Sequence, residues 1–252
     1  MDVYTFYEPI ASWDHDRSLL DLWVKNWSDK GFNPVIMSLN DAKKHNYYLK
    51  FSETISKSFK TITKKNIINP NNAWSYYVYY NYIRFLSYAT IDTKQPILIM
   101  DYDVYNINLN PEEISGLSGN IFFYWSICPC LMTGSPASFG NLCKMFAFVT
   151  ENHLDLLEEE YKLSPYVSFH EMALMHLLKF SKNKILNQIL EKYNINFAHD
   201  DHLISTCLYH SSNVIIREYC NNNSLDIKSL NHEQKINIRI RCAKEKINNA
   251  NI

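Results

Sequence analysis

The sequence predicts an α/β protein, a sheet flanked by helices, and three observations carry that prediction. Short runs of β-branched and aromatic residues alternate with longer segments in which apolar residues recur at helical spacing. One apolar run, Ile97-Leu98-Ile99-Met100, is continuous, as a parallel strand buried on both faces requires, and it ends abruptly in Asp101-Tyr102-Asp103. The 252 residues, 46% hydrophobic and 20% charged, are enough for one sizeable core and give no compositional reason for disorder.

Taken in order, Val3-Tyr4-Thr5-Phe6-Tyr7 predicts a first strand, which Glu8-Pro9 ends. Leu19, Leu20, Leu22, Trp23 and Trp27 then fall at helical spacing up to Gly31, a helix stop. Val35-Ile36-Met37-Ser38-Leu39 predicts a second strand, and Asn40-Asp41-Ala42 beyond it can cap the next helix or meet a ligand. Residues 43–72 are polar with mixed periodicity and receive no element; Asn69-Pro70-Asn71-Asn72 marks a turn. The tyrosine-rich segment 74–88 predicts a helix whose Tyr77, Asn81, Arg84 and Tyr88 share one face. The strand ending at Asp101 follows, so the order is βαβ, with a right-handed crossover expected. Further strands are expected at 121–125 and 130–133, and helices over 139–157, 171–193 and 233–248. No repeat or linker interrupts the chain, which is read as a single domain over 1–252 with a helical C-terminal extension.

Composition excludes several function classes. A formal net charge of −1 provides no global attraction to nucleic acid or anionic membranes. The six cysteines lack paired metal-ligand spacing and are expected to be reduced thiols. There is neither a basic segment leading into an apolar stretch at the N-terminus nor a run of about 18 apolar residues, so a cytoplasmic protein without a transmembrane segment is expected. Dinucleotide oxidoreductases, P-loop NTPases and esterases lack their glycine-bearing motifs here. The titratable cluster Ala198-His199-Asp200-Asp201-His202 lacks the spacing of a zinc site.

Two carboxylates at the carboxyl end of a buried strand open onto the crevice where α/β folds bind ligands. Their hard oxygens suit Mg²⁺ or Mn²⁺ bridging a diphosphate. In this context Asp101-Tyr102-Asp103 resembles the DxD motif of nucleotide-sugar-dependent glycosyltransferases with the GT-A fold. The order of elements is similar as well: the strand ending Thr5-Phe6-Tyr7, the Trp23/Trp27 helix, Gly31, Asp41-Ala42, and Asn81-Tyr82-Ile83-Arg84-Phe85-Leu86 before the motif strand. Cys207-Leu208-Tyr209-His210-Ser211-Ser212 resembles the late segment that returns a metal or phosphate contact. The chain departs from the pattern in having Ile91-Asp92-Thr93-Lys94-Gln95 where a glycine pair often stands.

The resemblance implies a Rossmann-like mixed sheet flanked by helices and a metal-dependent transfer from a nucleotide diphosphate sugar, UDP-linked by expectation, to a hydroxyl acceptor. That acceptor could be a protein, a glycan, a lipid-linked sugar or a modified nucleobase. Asp101, Asp103 and His210 are the expected metal ligands. Thr5, Tyr7, Asp41, Arg84 and Asp101 are expected to bind the nucleotide sugar, and Glu171, at a helix start, to serve as the base beside Asp103. His170, Asp200 and Asp201 compete for that role. Two other readings stand beside it. One is a degenerate binding module using the basic set Lys235, Arg239, Arg241, Lys244 and Lys246; the other is a nucleotidyltransferase using the same aspartates.

Overall fold

The computed structural model describes residues 1–10, 17–63, 73–114, 117, 119–125, 128–163, 171–180, 184–195 and 207–250. Strand β1 (Asp2–Phe6), helix α1 (Arg17–Asp29) and strand β2 (Asn33–Met37) open the fold. Helices α2 (Leu39–Lys43), α3 (Tyr48–Thr63) and α4 (Ala73–Ala89) lead to β3 (Ile97–Met100) and β4 (Val104–Asn106). The hairpin β5 (Phe122–Trp125) and β6 (Cys128–Gly134) precedes α5 (Pro136–Asn152), α6 (Leu154–Leu163), α7 (Glu171–Phe180) and α8 (Lys184–Tyr193). Strand β7 (Leu208–His210) and helices α9 (Asn213–Asn222) and α10 (His232–Asn249) complete the chain.

Five strands form a mixed sheet in the order β2-β1-β3-β6-β5. β1 runs parallel to both β2 and β3, whereas β6 is antiparallel to β3 and to β5. The α/β class with helices on both faces is therefore observed. β3 explains its own sequence: Ile97 and Ile99 face one apolar cluster with α2 to α5, α7 and α8, while Leu98 and Met100 face a second with α1, β4, β7 and Ala243 of α10. Burial on both sides selects an unbroken apolar run.

Helix α1 ends in a Schellman motif. The Phe32 amide donates to the Trp27 carbonyl at 3.1 Å and the Gly31 amide to the Ser28 carbonyl at 3.0 Å, with Gly31 at φ +82°. The Trp27 and Phe32 rings meet edge to face at 4.9 Å across this cap. The same helix holds β4 in place: Trp27 Nε1 donates to the Val104 carbonyl at 3.0 Å, and the Asn26 amide exchanges hydrogen bonds with the Asn106 backbone at 2.9 and 2.6 Å. β4 pairs with β7 in a separate two-stranded ribbon.

Four expectations change. Ser38 caps α2 rather than extending β2. The unassigned polar segment contains α3, whose buried stripe is Phe51, Thr54, Ile55, Ser58 and Phe59; two hydroxyl residues concealed the helical period. The helix expected over 139–157 starts at Pro136, behind the Ser135 N-cap, and breaks at His153 into α5 and α6. The helix expected over 171–193 is two helices, and α9 had no prediction. Asn69 to Asn72 lie outside the described residues.

Candidate functional site

The chain leaves β3 through a tight turn. The Asp101 amide still donates to the Cys130 carbonyl at 3.0 Å, continuing the β3–β6 ladder, and the Val104 amide then closes back on the Asp101 carbonyl at 3.0 Å. Tyr102 and Asp103 are its central residues, and Asp suits its first position. This places two carboxylates where β3 ends beside the end of β1, and β1 is the strand from which the order turns back: β2 lies on one side, β3 on the other.

A guanidinium braces each carboxylate. Arg84 of α4 donates from Nη1 to Asp101 Oδ1 at 2.7 Å and from Nη2 to Glu171 Oε1 at 3.0 Å. Arg239 of α10 donates to Asp103 Oδ2, and its Nε donates to the Ser211 carbonyl at 2.6 Å. His210 Nε2 lies 3.6 Å from Asp103 Oδ1. The electrostatics divide the pair. Burial raises the Asp101 carboxyl to about 6 although Arg84 opposes it. Burial acts on Asp103 too, but His210 and Arg239 outweigh it and bring that carboxyl down to about 2. Burial would lower the His210 imidazole; Asp103 wins and raises it to about 9. At neutral pH His210 is thus a cation facing Asp103.

The turn faces a cleft lined by Phe6 at the end of β1, Tyr7, Glu8 and Ile10 beyond it, Tyr77, Tyr80, Asn81 and Arg84 from α4, and Asp101, Tyr102 and Asp103. Of the α4 face expected from spacing, Tyr77, Asn81 and Arg84 reach it, whereas Tyr88 is buried against Phe139. Tyr7 is there, its ring edge-on to Tyr102 at 5.5 Å and 87°.

Other expected site residues stand elsewhere. Thr5 is fully buried on the Val3 face of β1, and its hydroxyl has no hydrogen bond among the described residues. Asp41 completes the capping box of α2, accepting from the Ser38 amide and hydroxyl at 2.9 and 2.8 Å and pairing with Lys44 at 2.6 Å. Burial raises its carboxyl, but the bonds from Lys44 and Ser38 outweigh that and lower it. Glu171 opens α7 as expected, yet its side chain is 2% exposed and lies behind Arg84, outside the cleft lining. In this position it is the counter-ion of Arg84, whereas a general base must reach an acceptor hydroxyl. Ser168, Phe169, His170 and the cluster 198–202 with Asp200 and Asp201 lie outside the described residues.

Glu8, Tyr80 and Tyr102 line the cleft although nothing in the sequence pattern singles them out, and Arg239, one of the basic residues of the last helix, instead braces Asp103. Arg239 is 136 positions from Asp103, and no local pattern joins them. Glu8 accepts from the Leu39 amide at 2.8 Å and thereby ties the end of β1 to the start of α2.

Mn²⁺ or Mg²⁺ can be tested against these atoms. Asp101 Oδ2 makes no hydrogen bond among the described residues, and Asp103 Oδ1 is buried without one. Asp101 Oδ2 is thus uncommitted, whereas Asp103 Oδ1 faces the His210 cation at 3.6 Å, which an incoming ion would have to displace; two carboxylates completed by substrate phosphates is the usual Mg²⁺ arrangement. The donor set fits. No group of three His, Cys, Asp or Glu among the described residues is disposed to hold an ion by itself. His210 would have to give up its proton before it could ligate.

Compared with known proteins, the chain matches no family, no curated protein and no solved structure. No helix among the described residues is long and apolar enough to cross a membrane, and all six cysteines are unbridged.

Proposed function

We propose that this chain is a glycosyltransferase of the GT-A type, moving a sugar from a nucleotide diphosphate sugar, UDP-linked in our reading, to a hydroxyl acceptor with Mn²⁺ or Mg²⁺. One observation carries the reading: Asp101 and Asp103 emerge beside the end of β1, at the point where strand order reverses, and face a cleft. Open α/β sheets bind their ligands at such switch points.

Asp101 and Asp103 would hold the ion through the oxygens their arginines leave uncommitted. When bound, the ion supplies charge stabilisation to the departing diphosphate. Tyr7 and Tyr102 offer aromatic edges and faces to a base, and the Asn81 amide offers a donor and an acceptor to a ribose or sugar hydroxyl. Arg84 donates from each terminal nitrogen to a carboxylate, which makes it the residue that orients Asp101. Glu171 fixes Arg84. The base of an inverting transfer is assigned to none of the described residues, and a retaining transfer needs none.

The test is a thermal-shift screen of UDP, GDP, CDP and ADP with and without Mn²⁺. A metal-dependent rise with one nucleotide, lost in Asp101→Asn and Asp103→Asn, supports the reading and names the donor base. A rise with none of the four overturns it. Product analysis separates nucleotidyl transfer, which releases pyrophosphate in place of a nucleoside diphosphate. The binding-module reading loses one member of its basic set, because Arg239 is engaged internally with Asp103.

A further inference from the structure

The second carboxylate is tied to the last helix by a closed circuit. Arg239 Nε donates to the Ser211 carbonyl at 2.6 Å, the Ser211 hydroxyl donates to the Arg239 carbonyl at 3.2 Å, and the Ser211 amide donates to the Asp103 carbonyl at 2.8 Å. Arg239 Nη2 to Asp103 Oδ2 closes it. Ser211 is fully buried and the Arg239 side chain is 12% exposed, so water competes poorly for these bonds.

Two consequences follow from the chemistry. A carboxylate that accepts from a fixed guanidinium through one oxygen loses its rotational freedom and presents the other oxygen in one direction; for Asp103 that oxygen is Oδ1, 3.6 Å from His210 Nε2, so a bound cation would take the place of the imidazolium there. The guanidinium is itself fixed, because Ser211 holds its Nε and the planar fork then has one orientation. Asp101 is treated likewise by Arg84, which Glu171 holds from behind. The two braces come from α4 and α10, helices on opposite faces of the sheet.

We infer that Arg239 is a positioning residue for divalent-cation binding at Asp103, and that α10, far from the motif in sequence, is a working part of that site. The inference rests on the ion site of the preceding reading and deepens it. Groups that hold a metal ligand in place typically govern metal affinity by 10- to 100-fold. Linkage is reciprocal: whatever factor the docked Arg239 adds to cation affinity, the cation returns to the docking of α10.

The experiment is a Mn²⁺ titration of the full chain followed by the electron paramagnetic resonance of free Mn²⁺. It compares wild type, Arg239→Gln, Arg239→Lys and Arg241→Gln, and adds amide exchange of α10 with and without Mn²⁺. Arg239→Gln is expected to weaken Mn²⁺ by 10- to 100-fold. Lysine keeps the charge but cannot make both contacts, so it should fall between. Arg241, an exposed residue of the same helix paired with Glu245, should leave affinity unchanged.

Wild type that binds no Mn²⁺ would overturn the ion reading and this inference with it. Wild type that binds while Arg239→Gln binds equally well overturns this inference alone. Should Arg239→Gln fail to fold, the wild type decides: Mn²⁺ must raise the protection of α10 amides, and identical protection with and without Mn²⁺ overturns the inference.

Discussion

At the scale of single residues, the site is a balanced set of charges: Asp101, Asp103 and Glu171 against Arg84, Arg239 and protonated His210. His210 gives that balance a pH signature. Its imidazole rises from 6.5 in the unfolded chain to about 9 in the fold, burial opposing and Asp103 prevailing. A raised pKa contributes stability that is complete below about pH 6.5 and lost as pH rises through about 9. The aspartates act elsewhere. The contribution of Asp103 is lost only as pH falls from 3.8 toward about 2, and the cost of ionising Asp101 is complete by about pH 6. Melting curves of the metal-free protein between pH 6 and 10 should therefore show the gap between wild type and His210→Gln closing as pH rises; a constant gap would refute the pair. Glu171 supplies a second residue-scale expectation. Glu171→Ala leaves Arg84 Nη2 without its buried acceptor while Asp101 still pairs with Nη1, so the loss should be about 1–3 kcal/mol in urea unfolding. A loss below about 1 kcal/mol would mean that Arg84 does not depend on it.

Elements were legible in the sequence where one physical demand dominated. The unbroken apolar run of β3 and the carboxylates ending it were readable because burial on both faces and the strand's exit each impose a composition. Helix α1 was readable from its leucines, tryptophans and Gly31. Helix α3 was not, because Thr54 and Ser58 occupy its buried stripe and satisfy themselves on Glu151 and the Thr150 carbonyl. Arg239 was invisible for a different reason: its partner is fixed by the tertiary fold alone. Two glycines let the same helical logic be tested with opposite signs. Gly31 caps α1 at φ +82°, and an added Cβ would meet only Pro111 Cγ at 3.8 Å, so Gly31→Ala should cost about 1–2 kcal/mol from backbone strain alone. Gly140 lies inside α5, where a Cβ would make ordinary contacts at 3.7 Å with Ala89 and His45. Gly140→Ala should therefore stabilise by about 0.5–1 kcal/mol. Urea midpoints of the two variants moving in the same direction would contradict this account.

For the molecule as a whole, the candidate site is the seam between two layers. Arg84 and Glu171 belong to the helices packed with Ile97 and Ile99, whereas Asp103, His210 and Arg239 belong to the ribbon and helix packed with Leu98 and Met100. A ligand that engages both aspartates therefore has contacts to lose if either layer opens, and its binding free energy should stabilise the chain as one unit. Mass action sets the size: a ligand present at 100 times its Kd adds about 2.7 kcal/mol to the native state. For a chain of 252 residues that corresponds to a rise of about 5–11 °C in melting temperature. The expected result with Mn²⁺ and the matching nucleotide diphosphate is one calorimetric transition, displaced as a whole by about this amount. The rise should also exceed the sum of those from metal and nucleotide added separately, because each supplies part of the other's binding surface. Two transitions, only one of them displaced, would show that the layers unfold independently and that the site does not span the seam.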